Sequence, residues 1–287
     1  MAAERGQLRR AALEREYMRE LGVDLAEVRT FFSEADNTSF VLVKVEPGRT
    51  KAWTEMLSVP ARRCYISDKL LQRRSAETKQ PHETILGAVI PPKGSVMAGD
   101  YGEIMTAFYL ASLAHPADVL DPKMWRLKSG RTKASQGSDV VQFELPRWPV
   151  PSTDDKVMCA EVKTKSTNGH STPVASAIED SLKDRRGRLA KTLMWLKERA
   201  ILNDLGTVEI GHLDRFVKAT DHPPAVHEFR AVAVISSELL DNEISGTDLP
   251  NKDQCTLIVI SVPDLKANYE ELYETLLANA AVEVDSL

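Results

Sequence analysis

An acidic and a basic residue stand two positions apart in the otherwise apolar segment Cys159-Ala160-Glu161-Val162-Lys163. A short apolar run of this kind is typical of a buried β-strand. Because side chains alternate between the two faces of a strand, we expect Glu161 and Lys163 on one side, roughly 6–7 Å apart. Carboxylates bind Mg²⁺, and bound Mg²⁺ polarises a phosphate and lowers the pKa of a bound water. A neighbouring lysine can orient that water, so the pair indicates Mg²⁺-dependent cleavage of phosphodiester bonds.

Two further carboxylates are candidates for the same site. Asp139 begins a strand predicted directly before the one that carries Glu161, and Gly137-Ser138 permit the close approach that a metal site beside a phosphate needs. Glu103 lies in the first turn of a helix that we predict from Asp100 to about Ala114. It could supply a third carboxylate ligand.

Each of these residues also has a purely structural interpretation. Glu161 and Lys163 could form an exposed cross-strand charge pair. Asp100-x-x-Glu103 fits a capping box, in which the glutamate returns to the first amides of its own helix, and this role can coexist with metal binding. Asp139 could be a turn-forming aspartate after glycine. The metal site is favoured because several suitable residues are predicted on neighbouring elements.

Two basic stretches lie on either side of these motifs. Residues 123–133 contain five basic residues and no acid, and residues 183–199 contain seven basic and two acidic residues. A basic surface can follow a phosphate backbone, and Trp195 on the same helical flank could stack a base. For any one of these residues, a solvated helix face is an equally weighted alternative. The predicted DNA contacts are Lys128, Arg131, Lys165, Arg188 and Lys191.

Composition and charge narrow the class of protein. The chain has 287 residues, of which 28% are charged and 43% apolar, with a net charge of -5. Such a charge gives no general affinity for nucleic acid, so DNA contacts must come from local basic patches. The three cysteines lack zinc-ligand spacing, and we find no secretory signal or membrane-spanning run, which predicts a soluble cytoplasmic protein with no membrane partner. Without a Walker A phosphate loop, no ATP site is expected in this chain.

Hydrophobic periodicity along the chain predicts an α/β fold with a mixed central sheet flanked by helices. The predicted elements are a first helix containing Leu13, Tyr17 and Leu21, a strand over 40–45, a helix around 53–57, a helix over 100–114, an antiparallel hairpin of strands 139–144 and 157–165, a helical region over 172–203 broken at Gly187, strands over 229–235 and 255–262, and a final helix from Leu265. We divide the chain into a small amino-terminal α/β region over 1–90, a larger domain over 91–280 and a flexible tail over 281–287.

These motifs resemble the PD-(D/E)xK nuclease superfamily, and more closely the HamA family of the Hachiman anti-phage defence system. The resemblance rests on Gly99-Asp100-Tyr101-Gly102-Glu103, Gly137-Ser138-Asp139-Val140-Val141, Ala160-Glu161-Val162-Lys163-Thr164-Lys165 and Arg188-Leu189-Ala190-Lys191. It covers roughly residues 60–280. Ser138 stands where the superfamily's name has proline, a departure that is frequent among relatives.

The resemblance implies a restriction-endonuclease-like core and a metal-dependent deoxyribonuclease with little sequence specificity. Glu103, Asp139 and Glu161 would gather one or two Mg²⁺ ions, for which Mn²⁺ can substitute. The Val162 carbonyl would add a ligand, and Lys163 would position the attacking water. The resemblance also implies a helicase-type partner, HamB, which would supply an ATP-driven motor and hold the nuclease in check. The region over 1–90 is the candidate for binding that partner.

Two other functions stay open on the sequence. The nuclease fold could be catalytically inactive and serve as a DNA-binding or regulatory subunit of a helicase complex. A restriction-type enzyme with sequence preference is less favoured, because no base-reading element is identifiable and non-specific backbone tracking needs only basic patches.

Overall fold

A computed structural model describes residues 20–36, 39–117, 119–203, 205–245 and 254–280 of the chain. Leu13 and Tyr17 of the predicted first helix, and the predicted tail over 281–287, lie outside the described residues. The described elements are, in chain order, α1 (Leu25–Arg29), β1 (Phe32–Asp36), β2 (Val41–Val45), α2 (Thr50–Tyr65), α3 (Asp68–Thr78), α4 (His82–Val89), α5 (Ser95–Ala114), β3 (Val140–Glu144), β4 (Lys156–Lys165), α6 (Pro173–Lys183), α7 (Leu189–Leu202), α8 (Ile210–Val217), β5 (Val226–Ser236), α9 (Leu240–Ser245), β6 (Thr256–Val262) and α10 (Leu265–Ala278).

The strands form one mixed sheet in the order β1-β2-β6-β5-β4-β3. Strands β2, β6, β5 and β4 are parallel, whereas β1 and β3 at the edges are antiparallel to their neighbours. The predicted α/β fold with a mixed, helix-flanked sheet is therefore confirmed, as is the antiparallel hairpin of β3 and β4. The central strands are apolar runs because helices cover both of their faces.

The two faces of the sheet are covered by different helices. The first face includes Ala160 and Val162 of β4 and packs against α2, α5 and α10. The second face includes Val157 and Cys159 and packs against α7 and α8. Because side chains alternate along a strand, the side chain of Glu161 belongs to the second face.

The segments on the two sides of residue 90 share one sheet and one core. Strand β2 pairs with β6, and Trp53 and Leu57 lie in the same buried cluster as Tyr101. Separate domains over 1–90 and 91–280 stay a prediction. In the part of the chain that the structure describes, no helix combines the length and the apolar character that a membrane crossing needs.

Helix α5 begins earlier than predicted. Its N-cap is Gly94, with φ 148°, and its first residue is Ser95. Asp100 and Glu103 therefore lie in the helix interior, where backbone amides already bond within the helix, and the predicted capping box is wrong. Both side chains are buried instead of facing the helix end.

Helices α6 and α7 are joined by one turn of π-helix, Asp184–Arg188, so the predicted break at Gly187 is confirmed. Gly187 has φ 134°, a left-handed conformation that favours glycine. No neighbouring atom lies within 4 Å of the position that a Cβ would take, so conformation and not space requires the glycine. The turn places Arg188 beside β4.

Candidate metal-dependent active site

Asp139, Glu161 and Lys163 come together where β3 begins beside β4. The backbone amide of Val162 donates to Asp139 Oδ2 at 2.8 Å, which holds Asp139 against β4. Lys163 Nζ lies 3.7 Å from Glu161 Oε2. The structure thus brings these three predicted residues into one neighbourhood, and their catalytic roles stay a prediction.

Glu161 is the most deeply buried carboxylate of this group, with 2% of its side chain exposed. Burial raises its pKa to about 10, and the carboxylates of Asp139 and Asp184 add to the rise. The guanidinium of Arg188 opposes it. Arg188 Nη2 lies 2.7 Å from Glu161 Oε1, yet this buried oxygen accepts no hydrogen bond. The guanidinium and this oxygen are therefore in close contact without hydrogen-bonding geometry.

Three residues of the helical region that follows β4 complete the charge network. Arg188 Nε donates to Asp184 Oδ1 at 2.6 Å, and Arg188 Nη2 donates to the Asp180 carbonyl at 2.7 Å. Asp180 Oδ2 lies 2.8 Å from Lys163 Nζ. Sequence reasoning missed Asp180 and Asp184. Their four-residue spacing to each other and to Arg188, which places all three on one helix face, was the available signal.

Asp184 connects the start of β3, strand β4 and the π-helical turn. Besides Arg188, it accepts hydrogen bonds from Ser138 Oγ at 2.9 Å and from Cys159 Sγ at 3.2 Å. All its partners are donors, so the carboxylate is held as an acceptor in a buried position. This explains why a serine, and no proline, suits position 138 here.

Lys163 is the most accessible member of the site, with 31% of its side chain exposed. Burial lowers its pKa, but the carboxylates of Asp139, Asp180 and Glu161 outweigh burial, so the pKa lies above its usual value. The ammonium group is therefore charged at neutral pH and can meet an incoming phosphate.

Glu103 approaches from the first face of the sheet. A Cβ on its neighbour Gly102 would meet side-chain atoms of Val162 and Thr164, which shows that α5 packs on that face. Trp125 Nε1 donates to Glu103 Oε2 at 2.9 Å. Burial raises the pKa of Glu103 well above its usual range, and Asp139 adds to the rise. Glu103 is thus an electrostatic neighbour of Asp139.

The acidic residues offer part of a metal site. Among the described residues, no group of three histidine, cysteine, aspartate or glutamate side chains is close enough to hold a metal ion. Mg²⁺ at phosphate-processing sites usually takes one or two carboxylates, with waters and substrate oxygens as its other ligands. Asp139 and Glu161 can supply the two carboxylate ligands. Glu161 Oε1 is suited to this role because it is a buried oxygen without a hydrogen bond. Glu103 and the Val162 carbonyl stay predicted ligands.

Two of the five predicted DNA-contacting cations are buried. Lys128 Nζ lies 2.7 Å from Asp100 Oδ1, and Lys165 Nζ lies 2.6 Å from Glu243 Oε1. Their side chains are only 4% and 7% exposed. A phosphate would meet them only after these ion pairs open, and their contact with DNA stays a prediction. Both cations pair with acids that are distant in sequence, which the local charge count could not reveal.

The other three predicted cations lie at or near the surface. Lys191 is exposed on α7, and Arg131 is exposed and donates to the Gly87 carbonyl at 2.6 Å. Arg188 is partly exposed but belongs to the acidic cluster described above. These three stay predicted DNA contacts.

Comparison with protein families shows where this chain belongs. A family model described as HamA matches residues 24–276, nearly the whole chain. The matched range includes every candidate site residue described above. No curated protein matches the chain.

Proposed function

The chain belongs to the HamA family of the Hachiman anti-phage defence system, and from this we propose that the protein is a Mg²⁺-dependent deoxyribonuclease. It would cleave DNA phosphodiester bonds with little sequence specificity. The observation that carries the proposal is the convergence of Asp139, directly before β3, with Glu161 and Lys163 of β4, where one oxygen of Glu161 is buried and without a hydrogen bond.

Each residue of the site has a proposed role that follows from its position. Asp139 and Glu161 would hold Mg²⁺, or Mn²⁺ in its place, with Glu103 and the Val162 carbonyl as further ligands. The metal would polarise the scissile phosphate and lower the pKa of a bound water. Lys163, charged and partly exposed, would orient the water and neutralise charge that develops on the phosphate.

The surrounding residues would keep this geometry fixed. Asp180 holds the Lys163 ammonium at 2.8 Å, so the lysine is oriented before DNA arrives. The exposed cations Arg131 and Lys191 would contact the DNA backbone by charge alone, which gives affinity without sequence readout.

We propose a helicase-type partner, encoded alongside, as the source of ATP-driven movement and of control. Membership of a defence family supports such a partner, since a nuclease without sequence preference must be restrained in a healthy cell. The region over residues 1–90 is the proposed contact for that partner.

The decisive experiment measures degradation of plasmid and single-stranded DNA in Mg²⁺ and in EDTA, by the chain alone and by its complex with the helicase-type subunit. Glu161→Gln and Lys163→Met should each reduce the rate of cleavage by about 10²–10³-fold, since each removes a few kcal/mol of transition-state stabilisation. Glu179→Gln is a matched control, because Glu179 is 71% exposed on α6. Wild-type rates in both site variants would contradict the proposal.

One observation favours a second function, a catalytically inactive DNA-binding or regulatory subunit. Arg188 lies against Glu161 and pairs with Asp184, and Lys163 pairs with Asp180, so the acidic residues have cationic neighbours without a metal. On this alternative, the complex binds DNA but produces no Mg²⁺-dependent cleavage, and Glu161→Gln changes neither binding nor helicase activity.

A further inference from the structure

Arg188 places a guanidinium inside the acidic cluster of the second face. It contacts Glu161 of β4, the carbonyl of Asp180 in α6 and the carboxylate of Asp184 in the π-helical turn. The side chain is therefore held from three sides. Its charge lies against the same carboxylate that the proposed function assigns to the metal.

The contact with Glu161 differs in kind from the other two. Arg188 donates hydrogen bonds to Asp184 Oδ1 at 2.6 Å and to the Asp180 carbonyl at 2.7 Å. At Glu161 Oε1 it stands 2.7 Å away without donating a hydrogen bond. Because Nη2 is also the donor to the Asp180 carbonyl, the guanidinium leaves Glu161 by giving up that hydrogen bond, while Nε keeps its bond to Asp184.

A divalent cation and this guanidinium compete for one oxygen. A cation bound to Glu161 Oε1 would lie about 2 Å from that oxygen. Arg188 Nη2 already lies 2.7 Å from the same oxygen, so the two would be in close contact. Two positive charges this close repel strongly in a buried site, where little water screens them.

We propose that the Arg188 guanidinium takes the place of the metal: it lies against Glu161 Oε1 in the metal-free protein and moves off that oxygen when a divalent cation binds there. The inference rests on the proposed function, because it requires Glu161 to be a metal ligand. It makes Arg188 a positioning residue that stabilises the acidic site before metal and DNA arrive.

The test is calorimetric titration of the full chain with MnCl₂ in the absence of DNA. Arg188→Met removes the competing charge and should bind Mn²⁺ at least about tenfold more tightly than wild type. Lys191→Met is the matched control, because it removes an equal charge from an exposed position one turn further along the helix. Its Mn²⁺ affinity should stay within about twofold of wild type.

Equal or weaker Mn²⁺ binding by Arg188→Met would overturn the inference and leave the proposed function standing. Failure of wild type and both variants to bind Mn²⁺ would overturn the proposed function and the inference with it.

Thermal unfolding supplies a second readout. In EDTA, Arg188→Met leaves the buried Asp184 without its cationic partner, so the unfolding midpoint of the variant should lie below that of wild type. Saturating Mn²⁺ should raise the midpoint of the variant by more than that of wild type, and an equal rise would count against competition. If Arg188→Met does not fold, Arg188→Lys decides, since its shorter side chain reaches Glu161 poorly: wild-type Mn²⁺ affinity in that variant would overturn the inference.

Discussion

Replacing Glu161 by glutamine should stabilise the metal-free protein at neutral pH. Burial raises the pKa of Glu161 from an ordinary 4.5 to about 10. The folded state therefore retains a proton that the unfolded chain has lost, and the free energy of unfolding falls as the pH rises from 4.5 towards 10. Glutamine carries no such proton, so the variant does not suffer this loss.

The magnitude follows from the width of that pH window. The 2.5 pH units between 4.5 and pH 7 correspond to about 3 kcal/mol, at about 1.4 kcal/mol per unit. This is an upper limit, because the proton is shared with neighbouring carboxylates such as Asp139. We expect Glu161→Gln to be more stable than wild type by about 1–3 kcal/mol at pH 7 and equally stable below pH 4.5.

Urea unfolding in EDTA at pH 4.5, 6, 7 and 8 measures the effect. The stability difference between Glu161→Gln and wild type should grow with pH, while the exposed control Glu179→Gln should show no such trend. A difference that is constant across this range, or a variant that is less stable than wild type at pH 7, would refute the reasoning. Confirmation would mean that Glu161 lowers the free energy of unfolding at neutral pH, as is common for residues that serve function.

Two further changes test the packing and the lysine. Gly102→Ala should lower the free energy of unfolding in urea by about 1–3 kcal/mol, because the new Cβ would lie 2.1 Å from Thr164 Oγ1. The control Gly99→Ala, in the same helix and with no atom within 4 Å of its new Cβ, should be neutral or stabilising. Equal effects of the two substitutions would contradict the packing of Gly102 against β4. Asp180→Asn removes a carboxylate that raises the pKa of Lys163, so the alkaline limit of metal-dependent cleavage should move to lower pH, and an unmoved limit would contradict the role of Asp180.

Local patterns were sufficient to predict the elements that carry the site. The alternation of apolar and charged residues through β4 placed Glu161 and Lys163 on one side, and the structure has both side chains in one charge network. The break at Gly187 was also predictable, since glycine is the residue that a left-handed turn favours. Both features depend on residues that are neighbours in the sequence, so the sequence is sufficient to predict them.

The ion pairs were not predictable, because their partners are distant in sequence. The basic stretch over 123–133 suggested an exposed surface, but Lys128 is buried against Asp100. Likewise, the sequence predicts Glu103 in the first turn of a helix, whereas α5 begins at Ser95 and carries Glu103 into the helix interior. In both cases, tertiary packing determined which polar side chains face the solvent.

The most direct test of the central claim is to locate a bound metal by anomalous diffraction from crystals soaked in MnCl₂. We predict an anomalous peak within about 2–2.5 Å of carboxylate oxygens of both Asp139 and Glu161, with Lys163 beside it. The same soak of Glu161→Gln should show no peak at this position. A wild-type crystal with Mn²⁺ bound elsewhere, or with none between these two carboxylates, would contradict the account.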